Sequence, residues 1–271
     1  MNICIITGSR ADLGLLHYPT KLLEDDPYFQ GQMLRLWGAS FEQAYMTAQQ
    51  AFTTERPDMI LVLGDRFEIL AAVTAAHLLR IPIAHIGGGD VTEGSYDDAM
   101  RDAISRMSAL HFVTSFAAMA RLTSLGYRNV HLVGNPAVDY IRHADWKRER
   151  PIAEPYVVVS YQAETLDDTV DLEAVNDAIK GRRAVWIAPN PDRGSERIPA
   201  VEAYSHDAFL TLLSYCDEFI GNSSAIFYEA PELGVKCRLI GKRQRGRVVP
   251  WGGDGRASER IRDVLRLWPS S

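Results

Sequence analysis

Short apolar runs alternate with longer helical patterns along almost the whole chain, and this alternation is the strongest constraint on the fold. In the first half the apolar runs are ICIITG (3–8), MLRLWG (33–38), MILVLG (59–64), IPIAHI (81–86), LHFVTS (110–115) and VHLVG (130–134). They are apolar nearly throughout rather than at every second position, which is typical of parallel strands covered on both faces. The pattern predicts a doubly wound α/β fold with a parallel sheet.

The alternation breaks once and then restarts. The segment HADWKRERPIAEP (143–155) is charged and contains proline, so we expect a linker there. Strands are then expected in YVVVSY (156–161), AVWIA (184–188), EFIG (218–221) and CRLIG (237–241), with helices near 168–179, near 206–215 and from Ser223. The sequence therefore predicts two Rossmann-like domains, 1–142 and 155–255, with a linker over 143–154, a cleft between the domains and a C-terminal helix within 256–271.

Composition argues against several classes of partner. The 271 residues carry a net charge of −6, whereas general nucleic-acid binders are usually basic. Apolar runs stay well below the roughly 20 residues that span a bilayer, so no membrane partner is expected. The N-terminus MNICIITGSR lacks the features of a signal peptide, and Cys4, Cys216 and Cys237 show no metal spacing and indicate buried free thiols. We therefore expect a cytoplasmic protein.

Polar residues follow nearly every predicted strand. Ligands of open α/β sheets lie beyond the carboxyl ends of the strands, so these residues are the candidates for a binding site. In the first half they are Ser9, Arg10, Asp12, Asp65, Arg66, His85 and the loop GGGDVTEGSYDD (87–98). In the second half they are Gln162, Glu164, Asn190 and the sequence GNSS (221–224).

The stretch GNSSAIFYEAPELG (221–234) predicts an anion site. The free N–H groups and positive dipole end at the start of a helix attract phosphate, and Ser223 and Ser224 would add hydroxyl donors there. Glu229, farther along, could accept hydrogen bonds from both hydroxyls of a ribose, and Pro231 would end the helix. The alternative is that Ser223 only caps the helix and Glu229 lies on a solvated face.

Several motifs together resemble one family. GSRADLGLL (8–16), LGDRFE (63–68), HIGGGDVTEGSYDDAMRDAISRMSALHFV (85–113), VGNPAVD (133–139), GNSSAIFYEAPELG (221–234) and GKRQRGR (241–247) occur in this order. In this combination they are similar to the hydrolysing UDP-N-acetylglucosamine 2-epimerases of sialic-acid and related nonulosonic-acid biosynthesis. The resemblance covers most of the chain and implies two domains of the glycosyltransferase-B type.

The resemblance also implies the ligand contacts. UDP would lie in the interdomain cleft, with the diphosphate near Ser223, Ser224, Arg243 and, from the first domain, Arg10. Glu229 would bind the ribose. On the sugar side the resemblance places Asp65, Arg66, His85, Asp97 and Arg101, and we assign Arg66 to UDP as well. A homodimer through the N-terminal domain would also resemble the family.

The implied reaction begins with removal of the C2 proton of the sugar and loss of UDP, which gives a glycal. Water then adds, and N-acetylmannosamine is released. The C2 proton is weakly acidic, so a carboxylate base must be close and the departing UDP must be stabilised. The candidate acids are Asp65, Asp90, Glu93, Asp97 and Asp98. This chemistry requires no metal or organic cofactor, and none is expected.

Structural roles remain open for each candidate. Asp65 could be a helix N-cap, His85 could bond a backbone carbonyl, and Asp97 or Asp98 could cap the following helix. Arg101 lies one turn after Asp97, so it is either a structural partner or a substrate clamp. The two other histidines in strand patterns, His111 and His131, are expected to be packed.

The sequence departs from the family pattern at three places. The segment GASFEQAYMTAQQ (38–50) replaces a longer, histidine-bearing loop. Gln162 stands where the family has a histidine near the phosphates, and glutamine carries no proton near neutral pH. Gly87 stands where a glutamate or histidine is usual, which leaves Asp90 the nearest acid. Two alternatives therefore stay open: a related nucleotide-sugar hydrolase or glycosyltransferase, and a catalytically weak UDP-sugar binding protein.

Overall fold

The chain divides into two compact units. A computed structural model describes residues 1–166, 169–190, 193–199, 203–251 and 253–269, and only the backbone of residues 10 and 11. The first unit comprises Met1–Asp90, Asp97–Arg142 and Pro250–Ser271, and the second comprises Val91–Tyr96 and His143–Val249. The second unit thus starts earlier than residue 155, and the chain from Pro250 onward joins the first. The domain bounds and the cleft expected from the sequence stay predictions.

The first unit is built on a parallel sheet. Its strands are β1 (Asn2–Thr7), β2 (Gln30–Arg35), β3 (Met59–Leu63), β4 (Ile83–Ile86), β5 (Leu110–Val113) and β6 (Val130–Leu132). Its helices are α1 (Arg10–Glu24), α2 (Phe41–Thr54), α3 (Phe67–Leu78), α4 (Asp97–Met107), α5 (Phe116–Ser124) and α6 (Pro136–His143). Among the described residues six strands pair in the order β2-β1-β3-β4-β5-β6, and every pairing is parallel.

Both faces of this sheet are covered, which explains its continuous apolar strands. Cys4 and Ile6 of β1 pack with residues of α2 and α3 on one face. Ile3 and Ile5 point to the other face and pack there with α1 and with a C-terminal helix, Ala257–Leu267. Side chains that alternate between two buried faces leave no solvent-facing position in the middle of the strand.

Two elements of the first unit differ from the sequence prediction. β2 covers Gln30–Arg35 rather than 33–38, because it pairs in register with β1 from Asn2 opposite Gln30 to Thr7 opposite Arg35. It is an edge strand with exposed residues at Gln30 and Gly31, so its first half has no apolar signal. The helix Pro136–His143 was not predicted at all. It begins at a proline, a residue that suits the first turn of a helix.

The second unit repeats the architecture on a smaller scale. Its strands are β7 (Val157–Ser160), β8 (Ala184–Trp186), β9 (Glu218–Gly221) and β10 (Cys237–Leu239), paired in parallel in the order β10-β9-β7-β8. Helices Leu172–Ile179 and His206–Tyr215 cover its two faces through buried clusters around Val159 and Val158 respectively. The predicted fold class, an α/β protein with two parallel Rossmann-like sheets, is confirmed.

The prediction of an α-helix from Ser223 is wrong. The chain forms a single 3₁₀ turn at Ser224–Ile226 and then a series of turns up to Gly234. Pro231 has no amide hydrogen and comes within seven residues of the start, so the segment is too short for a regular helix. The three cysteines are free, as expected, but only Cys4 is buried, whereas Cys216 and Cys237 are half-buried. No helix among the described residues is long and apolar enough to cross a membrane.

Candidate functional site

In the first unit, the turn between β1 and α1 is held by a capping box. Ser9 caps α1 and accepts a hydrogen bond from the backbone N–H of Asp12, while the Asp12 carboxylate accepts from the N–H groups of Gly8 and Ser9 at 2.8 and 2.9 Å. Asp12 is buried, so this arrangement is a rigid support for the turn. Arg10 begins the helix there, and its side chain lies outside the described part of the chain.

Arg101 connects the carboxylates that follow β3 with those that open α4. Its guanidinium donates to Asp65 and to Asp98, and it donates to the carbonyl of Asp90 at 3.0 Å. Arg101 is only 1% exposed, whereas the side chains of Asp65 and Asp98 are each 23% exposed. A guanidinium buried this deeply between two carboxylates fixes the orientation of both. The geometry therefore favours the structural-partner alternative for Arg101 over a substrate clamp.

His85 has partners at both ring nitrogens. Nε2 lies 2.8 Å from the carbonyl of Gly64 and donates to it, and Nδ1 lies 3.0 Å from the hydroxyl of Ser105. The side chain is fully buried, and burial lowers its pKa from 6.5 to about 4. At neutral pH His85 is thus an uncharged residue that holds the Gly64 turn. This arrangement matches the alternative that His85 bonds a backbone carbonyl, and a role toward the sugar stays a prediction.

The remaining first-unit candidates lie at the same edge of the sheet but differ in exposure. Asp90 is 7% exposed, and its carboxylate accepts from the Thr114 hydroxyl at 3.2 Å. Asp97 is half-buried and begins α4. Arg66 forms a two-pronged ion pair with the buried Glu68, at 2.8 and 3.1 Å. Asp65 and Asp97 are therefore less buried than Asp90.

In the second unit, Asn222 ties together the ends of β9 and β7. Its Oδ1 accepts from the N–H of Gln162 at 2.6 Å, and its Nδ2 donates to the Gln162 carbonyl at 2.9 Å. The Gln162 side chain in turn accepts from the N–H of Asn190 at 2.7 Å, beyond β8. Gly221 makes this convergence possible, because a Cβ there would lie 2.0 Å from the Ser160 carbonyl. Gln162 thus organises three strand ends.

The two serines lie directly after this junction. Ser223 is half-buried and caps the 3₁₀ turn by accepting from the N–H of Ala225 at 3.3 Å, and Ser224 is exposed. The turn that follows β10 supports them: Gln244 donates to the carbonyl of Asn222 at 2.9 Å. Arg243, 8% exposed, donates to the carbonyl of Ala163 at 2.6 Å. The serine hydroxyls thus lie on a turn whose neighbours are held by buried polar side chains.

Glu229 is a carboxyl group in an apolar setting. It is 7% exposed, and burial raises its pKa from 4.5 to about 7. A buried carboxyl that is half ionised near neutral pH is costly for stability, and such groups cluster at functional sites. Next to it, Tyr228 accepts a hydrogen bond from Arg247 at 2.8 Å and lies under its guanidinium. Glu229 therefore lies in a buried site rather than on a solvated helix face.

Four residues of these sites support the turns. Three of them, Asp12, Glu164 and Asn222, were among the strand-end candidates, but the sequence indicates no supporting role for them. The fourth, Gln244, lay within the motif GKRQRGR and was not singled out. The pair Ser9 and Asp12 has the spacing of a capping box and could have been found. The contact between Glu164 and the N–H of Lys242, at 2.5 Å, spans 78 residues and has no local signal.

The family described as UDP-N-acetylglucosamine 2-epimerase matches residues 28–252, and the chain belongs to this family. A GDP/UDP-N,N'-diacetylbacillosamine 2-epimerase (hydrolyzing) of Campylobacter jejuni is 28% identical over 240 residues, which cover 77% of this chain and 62% of that protein. The polysialic acid biosynthesis protein P7 of Escherichia coli is 30% identical over 73% of this chain and 58% of its own length. The chain thus spans less than two thirds of these two curated relatives.

A third relative and two solved structures complete the comparison. A UDP-N-acetylglucosamine 2-epimerase of Neisseria meningitidis is 26% identical over 90% of this chain and 81% of its own. The Methanocaldococcus jannaschii UDP-GlcNAc 2-epimerase, solved with UDP-GlcNAc and UDP, superposes with a TM-score of 0.83 at 18% identity over 99% of this chain and 100% of its own. The Neisseria meningitidis enzyme bound to UDP-GlcNAc gives 0.78 at 15% identity over 99% and 100%. At these identities the structures establish the fold.

Proposed function

We propose that the chain is a hydrolysing UDP-N-acetylglucosamine 2-epimerase that converts its substrate and water into N-acetylmannosamine and UDP. The observation that carries this proposal is the family match over residues 28–252, which includes both groups of strand-end residues except those of β1. The names of two relatives specify hydrolysis or polysialic acid biosynthesis, which supports the hydrolysing form. The third relative is named only as a 2-epimerase, so the form of the reaction needs a direct test.

In this proposal the second unit binds UDP. Ser223 and Ser224 donate to the diphosphate, and Glu229 accepts from the ribose hydroxyls. Gln162 and Arg243 lie at the same strand ends and complete the phosphate side, with Arg243 supplying positive charge. From the first unit, Arg10 is assigned to the diphosphate and Arg66 to UDP and the sugar side. Backbone turns supported by buried side chains suit this task, because the donors need no rearrangement when the anion arrives.

The first unit supplies the acids for the chemistry. One carboxylate, Asp65 or Asp97, removes the C2 proton while the C1–O bond to UDP breaks, which leaves a C1=C2 double bond. Water then adds across this double bond. Its hydroxyl joins C1, and a proton joins C2 on the ring face opposite to the one from which the first proton was removed. Arg101 and His85 act as positioning residues, and Asp90 is the reserve acid. The overall change consumes one water and transfers no electrons.

Removal of both serine hydroxyls tests the binding site. For the Ser223→Ala/Ser224→Ala double variant we expect UDP affinity to fall at least about tenfold, since each lost hydrogen bond to a charged group is worth more than 1 kcal/mol. Isothermal titration calorimetry measures the change, and Ser195→Ala on a separate 3₁₀ turn of the same unit is the control. Unchanged affinity in a folded double variant would exclude this turn as the UDP site.

Isotope labelling tests the glycal route. In deuterated water the N-acetylmannosamine product should carry deuterium at C2, because the glycal is protonated there from solvent. Mass spectrometry and proton NMR of the released sugar measure this incorporation. Release of UDP with unlabelled N-acetylglucosamine would instead identify a nucleotide-sugar hydrolase.

One observation favours a second candidate, a catalytically weak UDP-sugar binding protein. Gln162 replaces a protonatable residue, and its side chain is engaged with the N–H of Asn190. Tight UDP-sugar binding with no release of UDP would support this candidate. The homodimer and the cytoplasmic location remain part of the proposal, and light scattering of the purified protein would read the association state.

A further inference from the structure

The segment Val91–Tyr96 contacts the turn that follows β10. It lies between β4 and α4 in sequence but belongs to the second unit. The N–H of Glu93 donates to the carbonyl of Arg245 at 2.9 Å, and their side chains form an ion pair at 3.0 Å. Both side chains of this pair are more than half exposed, so the ion pair contributes little to the stability of this contact. The backbone packing between the two segments therefore stabilises the contact more than the charges do.

Gly94 makes the closest approach in this contact. A Cβ at this position would lie 1.8 Å from the carbonyl oxygen of Lys242 and 2.8 Å from the Cα of Arg243. The obstructing atoms are backbone and cannot rotate away. The backbone of Gly94 is outside the left-handed region, so glycine is needed here for space and not for conformation.

The other end of the segment is anchored near β7. The hydroxyls of Ser95 and Thr165 are 2.9 Å apart, and the N–H of Tyr96 donates to the Thr165 hydroxyl at 3.3 Å. Thr165 comes three residues after Gln162. The segment Val91–Tyr96 therefore contacts two of the loops that carry polar residues of the second-unit site, the loop after β7 and the turn after β10.

These contacts continue to the serine turn. Arg243, directly beneath Gly94, donates to the carbonyl of Ala163, and Gln244 donates to the carbonyl of Asn222, the residue before Ser223. Gln244 and Arg243 are both more than nine-tenths buried. A displacement of the Lys242–Gly246 turn would therefore reach Asn222 through the Gln244 hydrogen bond and Ala163 through the Arg243 hydrogen bond.

We propose that Val91–Tyr96, called here the clasp, holds the Lys242–Gly246 turn and through it the serine turn in the arrangement that binds nucleotide, with Gly94 as its positioning residue. The proposal rests on the proposed UDP site and adds that a glycine in the β4–α4 loop controls nucleotide affinity. It acts through the packing of backbone against backbone, and no atom of Gly94 needs to touch the ligand.

The principal test is Gly94→Ala, with Gly31→Ala as the matched control. An added Cβ at Gly31 would meet only the Cγ of Glu24 at 3.7 Å, an ordinary contact. For Gly94→Ala we expect a UDP dissociation constant raised about tenfold or more, because overpacking forces the turn to shift. Hydrogen–deuterium exchange by mass spectrometry should show faster exchange over 221–226 and 241–247. Gly31→Ala should change neither quantity.

A second pair of variants keeps the test independent of the glycine. Thr165→Val removes the hydroxyl that anchors the clasp, whereas Thr165→Ser retains a hydroxyl at this position. We expect Thr165→Val to raise the dissociation constant for UDP and the exchange over 241–247, and Thr165→Ser to behave like the unchanged protein. If Gly94→Ala fails to fold, this pair decides the proposal.

Each outcome separates positioning from simple stability. A lower melting temperature with unchanged UDP affinity in the folded Gly94→Ala protein would overturn the proposal, as would unchanged exchange at both turns. If the unchanged protein binds no UDP, the proposed function fails, and the exchange measurements alone then decide whether the clasp holds the two turns.

Discussion

Asparagine in place of Asp65 or Asp97 is expected to lower turnover of UDP-N-acetylglucosamine by ~10²–10⁴-fold, the usual contribution of a general acid or base. The dissociation constant for UDP should stay within a few-fold, because the nucleotide is assigned to the second unit. Asparagine keeps the shape of the side chain and, at position 65, one acceptor oxygen for Arg101, but it cannot remove a proton. Steady-state kinetics with detection of free UDP, together with calorimetry, measures the two effects separately.

Asp98→Asn is the matched control for this experiment. Asp98 has the same side-chain exposure as Asp65, 23%, and pairs with the same Arg101. Removing one carboxylate partner of a buried guanidinium is itself destabilising. A loss of turnover caused only by a disturbed Arg101 would therefore appear equally in Asp98→Asn. Equal losses at positions 65 and 98 would show that Asp65 supports the fold and is not the base.

Glutamine in place of Glu229 is expected to stabilise the ligand-free protein by up to about 3 kcal/mol at pH 8, with almost no effect at pH 4. Burial raises the pKa of Glu229 from 4.5 to about 7, so the folded state binds a proton that the unfolded state has lost. The unchanged protein therefore keeps its full free energy of unfolding below pH 4.5. This free energy falls as the pH rises toward 7 and then levels off. Denaturant unfolding of both proteins across this range measures the difference.

The same variant should bind UDP more weakly, since a neutral amide replaces a carboxylate acceptor for the ribose hydroxyls. A variant that unfolds less easily but binds UDP more weakly would show that the Glu229 carboxylate serves binding and destabilises the folded protein. Glu173→Gln, at an exposed carboxylate of the same unit, is the control and should change neither quantity. A Glu229→Gln protein with full UDP affinity would remove Glu229 from the ribose site.

The sequence predicted where the strands end, but it did not predict the hydrogen bonds and ion pairs among the side chains at those ends. The apolar run before Asp65 and the run before Asn222 place these residues beyond β3 and β9, because a parallel strand buried on both faces ends where polarity begins. That Arg101 is enclosed by Asp65 and Asp98 depends on how α4 packs, and no spacing in the sequence reveals it. The ring of His85 likewise acquires its partners only when β4, β3 and α4 meet.

Local signals failed where long-range contacts replaced them. The polar first half of β2 is a strand only because β1 lies beside it, and the segment after Ser223 forms a 3₁₀ turn although its start resembles that of a helix. The capping box of Ser9 and Asp12, in contrast, lies within four residues and is readable directly.

The sequence by itself determined the alternation of strands and helices, the two parallel sheets and the polar residues at the carboxyl ends of the strands, because each follows from local composition and periodicity. It also carries the motifs by which the chain resembles its family. Only the tertiary structure decided which of those residues are buried supports and which are exposed. It buried Arg101, His85 and Glu229, and it brought Gly94 against Lys242, a pair 148 positions apart in the chain. Burial and close approach arise from the packing of distant segments, so the sequence carries no nearby pattern for them.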